Sequence, residues 1–294
     1  MPTLQDIKKR ITSIKSTQKI TRAMKMVSAA KLRRAQQSLN NHRPFANKLD
    51  ELVGLILMLS DERQTPALMI PHDQQHSLDL LVYTSNRGLC GGFNANLMRH
   101  TESVLKQLKH DQKKTTLQII GRKGRAFLTA RKIPIDHYWP DYADTLTFSQ
   151  ASVLATEAIN RFTQHESDSF SLVYNQFESA ASHKIVTKQI LPIALSSRED
   201  TPDLARQYCF DFIYEPDRIS FLHQLLHQYI ATQIYRAHLE SAASELGARM
   251  VAMESATNNA VDMVGYLTLQ YNRARQSAIT KELMDIVNGA EALK

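Results

Sequence analysis

The run Arg87-Gly88-Leu89-Cys90-Gly91-Gly92-Phe93-Asn94 places glycines between an apolar strand and a helix. In that position backbone amides at a helix N-terminus can cradle phosphate, as they do in dinucleotide-binding and P-loop proteins. The spacing here matches neither G-x-G-x-x-G nor the P-loop, and no phosphate-contacting lysine follows Gly92. A tight turn that uses glycine's backbone freedom is the better account. Gly121-Arg122-Lys123-Gly124 invites the same suspicion and fails the same test. His223 and His227 stand four apart, a helical spacing that can chelate zinc, yet Gln224 follows His223 where a zinc protease carries its general base. No third ligand is apparent, so packing or solvent-facing histidines are expected. Cys90 and Cys209 are expected to be inert buried thiols, Cys90 being the more exposed if its turn opens it to solvent. No triad or carboxylate pair presents itself. The residues therefore predict no catalytic group, no cofactor and no metal.

Composition narrows the class. The longest apolar run, Leu52 to Leu59, is too short to cross a bilayer. The N-terminus has charge without an apolar h-region, and two cysteines are too few for a disulfide framework. A soluble cytosolic protein is expected. The net charge of +7 is concentrated at one end, since residues 1–35 hold ten Lys/Arg against the single acid Asp6. From Pro216 onward there are seven Lys/Arg and eight Asp/Glu. Such a basic field could serve nucleic acid, an anionic membrane or an acidic protein surface.

The elements that must carry these residues are unusual. No proline occurs between Pro2 and Pro44, nor in the 78 residues after Pro216. Proline's absence permits long helices, of roughly 80 Å for residues 3–58 and roughly 115 Å for the C-terminal segment. In the first, Leu4, Ile7, Ile11 and Ile14 make a coiled-coil seam whose register continues through polar Gln18, Thr21, Lys25 and Ser28 to Leu32, Ala35 and Leu39. Ile20, Met24 and Val27 form a second stripe, which predicts that the hydrophobic face rotates along the helix. In the last, Leu246, Met253, Ala260, Leu267 and Ala274 repeat every seven residues beside Met250, Thr257, Val264, Tyr271 and Ala278. Ile279, Leu283, Ile286 and Leu293 continue on a displaced stripe. Gly247 and Gly265 weaken this helix by about 1 kcal/mol each unless packing offsets the loss.

Between the helices the pattern alternates. Strands are expected at 78–84, 116–120, 133–138, 169–177, 184–191 and 208–213, with helices at 95–108, 123–131 and 149–163. Alternation of this kind indicates a parallel-type, Rossmann-like α/β domain inserted between the N- and C-terminal helices, with those helices paired as a long antiparallel α-helical coiled coil. The expected divisions are a coiled-coil helix at 1–60, a linker at 61–77, the α/β domain at 78–214 and a coiled-coil helix at 215–294. A nucleic-acid-binding basic coiled coil is the alternative. Basic residues and apolar seam overlap here, however, instead of forming a basic block before a zipper, and stacking aromatics are absent.

Three segments carry a resemblance to a known family. They are Asp6-Ile7-Lys8 with Ser16 through Val27 and Ala30-Lys31-Leu32; the Arg87–Asn94 turn; and Ala248 through Met253, Tyr271 through Gln276 and Ile279-Thr280-Lys281-Glu282. In content and order, over the whole chain, they resemble the gamma subunit of F-type rotary ATP synthase. The resemblance implies a non-catalytic rotor shaft whose antiparallel helices enter a hexamer of α and β subunits, with ATP chemistry in β. It also implies that the α/β domain meets the epsilon subunit and the c-subunit ring, that no nucleic acid is bound, and that the membrane is reached only through the complex. The setting implied is the cytoplasmic face of a bacterial inner membrane. By resemblance, Arg249, Arg275, Gln276, Thr280 and Glu282 match shaft positions that engage β-subunit loops, and Met24 and Lys25 match the facing stretch. A local network, with Arg275 pairing to Asp262 or Glu282, is the competing role for these polar groups. Asn86, Asn258 and the Gly265-Tyr266 pair depart from the family's usual residues.

Overall fold

The computed structural model describes residues 3–58, 66–72, 76–193, 215 and 217–291. The strand expected at 208–213, Cys209, Pro216, Leu293 and residues 61–65 and 73–75 of the linker lie outside the described residues. Helix α1 (Leu4–Met58) has 55 residues and continues through Pro44. Its start is closed reciprocally, the Asp6 amide donating to Thr3 Oγ1 and the Thr3 amide to the Asp6 carboxylate. The last helix, which begins at Arg218, is opened by Asp217, whose carboxylate accepts from the Ser220 amide at 2.9 Å. Asp217 thus caps the helix from the position ahead of it.

Contacts divide the chain into two compact units, Met1–Ala29 with Arg249–Lys294, and Ala30–Ala248. The first is an antiparallel helix pair, for Thr21 bonds Thr257 and Lys25 bonds Glu254. Residues Ile7, Ile11, Ile14, Gln18, Thr21, Lys25 and Ser28 are all buried or half-buried, as are Met253, Thr257, Ala260, Val264, Leu267, Tyr271, Ala274 and Ala278. The buried face therefore keeps one heptad register and does not rotate. Polar residues occupy the seam, and of the second stripe Ile20 and Val27 are left in solvent while Met24 is half-buried.

The second unit is built on a five-stranded sheet in the order β3-β2-β1-β4-β5. Its elements are β1 (Ser77–Tyr83), α2 (Phe93–His110), β2 (Lys114–Ile120), α3 (Arg122–Ala130), β3 (His137–Trp139), α4 (Phe148–Thr163), β4 (Phe170–Phe177) and β5 (His183–Leu191). The final helix, α5 (Arg218–Glu291), has 74 residues. Strands β1 to β4 pair in parallel, whereas β5 is antiparallel to β4 because the turn at 178–182 is too short for a crossover. Alternation in β1 splits its side chains between two apolar clusters. Leu78, Leu80 and Val82 meet Leu97, Met98 and Leu128 of α2 and α3. Leu81 and Tyr83 meet α4, Leu49, Val53 and Ile56 of α1, and Leu226, Ile230 and Ile234 of α5. The segment expected as a strand at 133–138 is strand only from His137, because Ile133 and Ile135 pack on the first cluster as loop residues.

Gly247 proves necessary. A Cβ there would lie 2.7 Å from the Ala180 carbonyl oxygen, so glycine lets α5 approach the β4–β5 turn. Gly265 has no neighbour within 4 Å to explain it.

Candidate functional site

The glycine turn is closed on itself. The Ser85 amide donates to Asn94 Oδ1 at 3.0 Å, while Asn94 Nδ2 donates to Ser85 Oγ and to Cys90 Sγ. Leu89 and Gly91 take positive φ of 64° and 58°, so the turn accounts for its own glycine. Cys90 is buried despite its place in the turn. At the next turn Gly121 has φ 97°, and a Cβ would sit 2.2 Å from the Thr84 oxygen. The first glycine motif thus serves positive φ at Gly91, and the second serves close approach to Thr84. Asn86 bonds Asp144, the Pro140 carbonyl and the Arg122 amide.

His223 is exposed, and His227 Nε2 meets Thr156 Oγ1 at 2.9 Å. Among the described residues no group of three or more His, Cys, Asp or Glu side chains could hold a metal. A cleft of about 850 Å³ is bordered by His72, His76, Lys114, Arg161, His165 and Asp168. Its acid Asp168 is held by its neighbours. Asp168 accepts from His72, Ser77 and the His76 amide, and these bonds outweigh the upward push of burial and hold its carboxyl at about 2. They fasten the segment before β1 to the start of β4.

The helix pair presents a different surface. Around residues 20–28 its usual pattern is inverted, with Thr21 and Ser28 buried while Ile20, Met26 and Val27 are 57%, 61% and 56% exposed. Thr257 donates to Thr21 Oγ1 at 2.8 Å, and Lys25 Nζ lies 2.6 Å from Glu254. Because that ion pair is 37% and 47% exposed, it adds only about 0.2–1 kcal/mol. On α5, Val261, Met263, Tyr266 and Leu269 are exposed. Every residue from 279 to 288 is exposed too, including Ile279, Leu283, Met284, Ile286 and Val287. Soluble helices seldom leave so many apolar side chains in water unless another surface covers them.

The sequence-predicted site residues fall at two levels of this unit. Half-buried Met24 and Lys25 lie near the level of Arg249, which is itself half-buried and engaged by a partner. Arg275, Gln276, Thr280 and Glu282 are exposed, roughly 40–50 Å from Arg249 along the helix at 1.5 Å per residue. Thr280 Oγ1 donates to the Gln276 carbonyl at 3.0 Å. Among the described residues Arg275 forms no ion pair with Asp262 or Glu282, so the local-network role lacks its expected bonds. Sequence reasoning missed Glu254 and the exposed Val261–Leu269 row. The antiparallel register would have found Glu254, since it places that residue across from Lys25.

A family model described as ATP synthase matches residues 3–293. The ATP synthase gamma chain of Anaeromyxobacter sp. (strain Fw109-5) is 48% identical over 296 residues, covering 100% of both chains. A chain from the central stalk and c-ring of Tetrahymena thermophila mitochondrial ATP synthase is similar in structure at TM-score 0.56 and 28% identity, covering 81% of this chain and 99% of that one. A chain from the Euglena gracilis mitochondrial ATP synthase shares the fold at TM-score 0.65 and 20% identity, covering 99% of this chain and 94% of that one.

Proposed function

The chain belongs to the gamma-chain family of ATP synthase, and on that premise we propose that it is the central rotor shaft of an F-type complex. It is a subunit of an ATPase complex that performs no ATP chemistry itself. Its helix pair turns inside a ring of α and β subunits, and its α/β domain meets the epsilon subunit and the c-subunit ring. The setting is the cytoplasmic side of a bacterial inner membrane, reached through those partners. Among the described residues no helix is long and apolar enough to cross a membrane. The working segments are the helix at 1–60, the linker at 61–77, the α/β domain at 78–214 and the helix at 215–294.

A shaft couples distant sites only if each orientation makes different contacts with the ring, because differential contact free energy is what shifts the conformations of the β subunits. The observation that carries this reading is the exposed apolar and polar surface of the helix pair. Met24, Lys25 and Arg249 form one station for β-subunit loops, and Arg275, Gln276, Thr280 and Glu282 the other. Polar side chains on a solvent-facing helix can exchange charge-assisted hydrogen bonds with acidic loops as the shaft turns. Leu283 and Ile286 supply apolar contact without a fixed partner.

Replacing Leu283 and Ile286 together with serine removes on the order of 3–6 kcal/mol of apolar burial available to a surrounding sleeve. Coupled ATP synthesis in membrane vesicles is expected to fall on the order of tenfold, equivalent to about 1.4 kcal/mol on the rate. Unchanged synthesis at normal complex assembly would count against the shaft surface as drawn.

A further inference from the structure

We propose that Asp50, Lys188, Gln233, Arg236 and Glu240 form a positioning junction that sets one rotational and axial placement of α1 and α5 on the sheet. The proposal rests on the rotor reading, since a shaft must hold its angle to the domain that drives it. The five residues come from three elements: Asp50 from α1, Lys188 from β5 and the other three from α5. Gln233 is the bridge. Its Nε2 donates to Asp50 Oδ1 at 2.7 Å, and its Oε1 accepts from Lys188 Nζ at 2.8 Å. Arg236 lies 3.6 Å from Asp50 and 3.2 Å from Glu240. The formal charges cancel, two positive against two negative.

Burial makes these bonds consequential. Gln233 and Glu240 are buried, and Lys188 and Arg236 are mostly covered. In such surroundings an unmatched polar group is costly, so a slip that breaks the Gln233 bridge strands buried donors and acceptors, even though Asp50 is 35% exposed and Glu240 Oε2 has no partner among the described residues. The apolar cluster around it cannot impose the same selection. Leu49 and Val53 of α1 meet Leu226, Ile230 and Ile234 of α5 through non-directional contacts that tolerate sliding and repacking. A bridge with one donor and one acceptor end does not tolerate a slip of either partner.

The test compares two variants of the full chain. Gln233→Met removes the bridge at similar volume. The triple Asp50→Leu, Lys188→Met, Gln233→Leu replaces the bridge and its two partners with apolar groups and leaves the Arg236–Glu240 pair, which restores packing without restoring direction. Spin labels at Lys184→Cys and Gln228→Cys, both exposed sites, report the β5-to-α5 distance, with Cys90 and Cys209 replaced by alanine. The distance distribution is expected to broaden at least about twofold in both variants, beyond the width set by rotamer freedom alone. If Gln233→Met does not accumulate as folded protein, the triple variant decides. Unbroadened distances in the folded variants would overturn the junction. In the assembled complex, broadened distances should accompany a wider angular spread of ATP-driven rotational pauses. Broadening with a wild-type spread would overturn the junction's role in the rotor. A wild-type chain that assembles but does not rotate, while the variants still broaden, would leave the junction standing and reject the rotor reading.

Discussion

Replacing Arg161 with methionine is expected to destabilise the α/β unit by about 3–5 kcal/mol, the cost of stranding a buried charge. The Asp79 side chain is only 2% exposed, and Arg161 holds it with Nε at 2.6 Å and Nη2 at 3.1 Å. The same guanidinium reaches Thr116 at 3.2 Å and Glu166 at 3.1 Å, so one side chain of α4 ties together β1, β2 and the turn after α4. Removing the cation leaves the carboxylate without a counter-charge on the central strand of the sheet. The double variant Arg161→Met, Asp79→Leu should recover most of the loss, because an apolar pair of similar volume carries no stranded charge. Urea denaturation of the two variants gives the comparison. A single variant no less stable than wild type would show that water reaches Asp79 freely.

Acidification is expected to weaken the same unit through His238. Burial pushes its imidazole down to about 4, and the Asp144 carboxylate opposes that shift only in part. The neutral ring accepts a hydrogen bond from the Leu146 amide at 3.4 Å and lies beside Tyr83, whose hydroxyl donates to the Ile234 carbonyl at 3.1 Å. A histidine of depressed pKa protonates more readily in the unfolded chain, so folding loses stability as the pH falls. Its contribution is complete above about 6.5, declines between 6.5 and about 4, and is gone below that, a total of about 3 kcal/mol. His42 and His183, also lowered by burial, act in the same direction. The His238→Gln variant therefore isolates the effect of this residue. Its stability should run flatter than wild type between pH 6.5 and 4, read from denaturation midpoints across that range. Parallel curves would show that His238 is solvated.

What the sequence revealed and what it concealed follow from the range of the forces involved. The heptad positions from Leu4 to Leu39 and from Leu246 to Ala278 are those that are buried or half-buried, because helical periodicity is a local property. The glycine turn at 87–94 was legible as a turn for the same reason. The fate of Ile20 and Val27 was not. An apolar stripe next to a polar seam reads as a rotated face, and only the position of the opposing helix shows that Thr21 and Ser28 go inside. Arg161 and Asp79 stand 82 residues apart, and Gln233 lies 183 from Asp50, so no local pattern announces either pairing. Of the candidate site, residue types and helix positions were readable, whereas Glu254 and the exposed Val261–Leu269 row required the helix pair in space.

That this chain is the moving element is tested most directly by assembling α and β subunits with and without it, fixing the ring to a surface, and attaching a bead to the α/β domain. On adding ATP, complexes containing the chain should turn the bead in one direction in discrete steps, while rings without it hydrolyse ATP with nothing to turn. A chain that assembles with the ring yet stays still during steady hydrolysis would contradict the account.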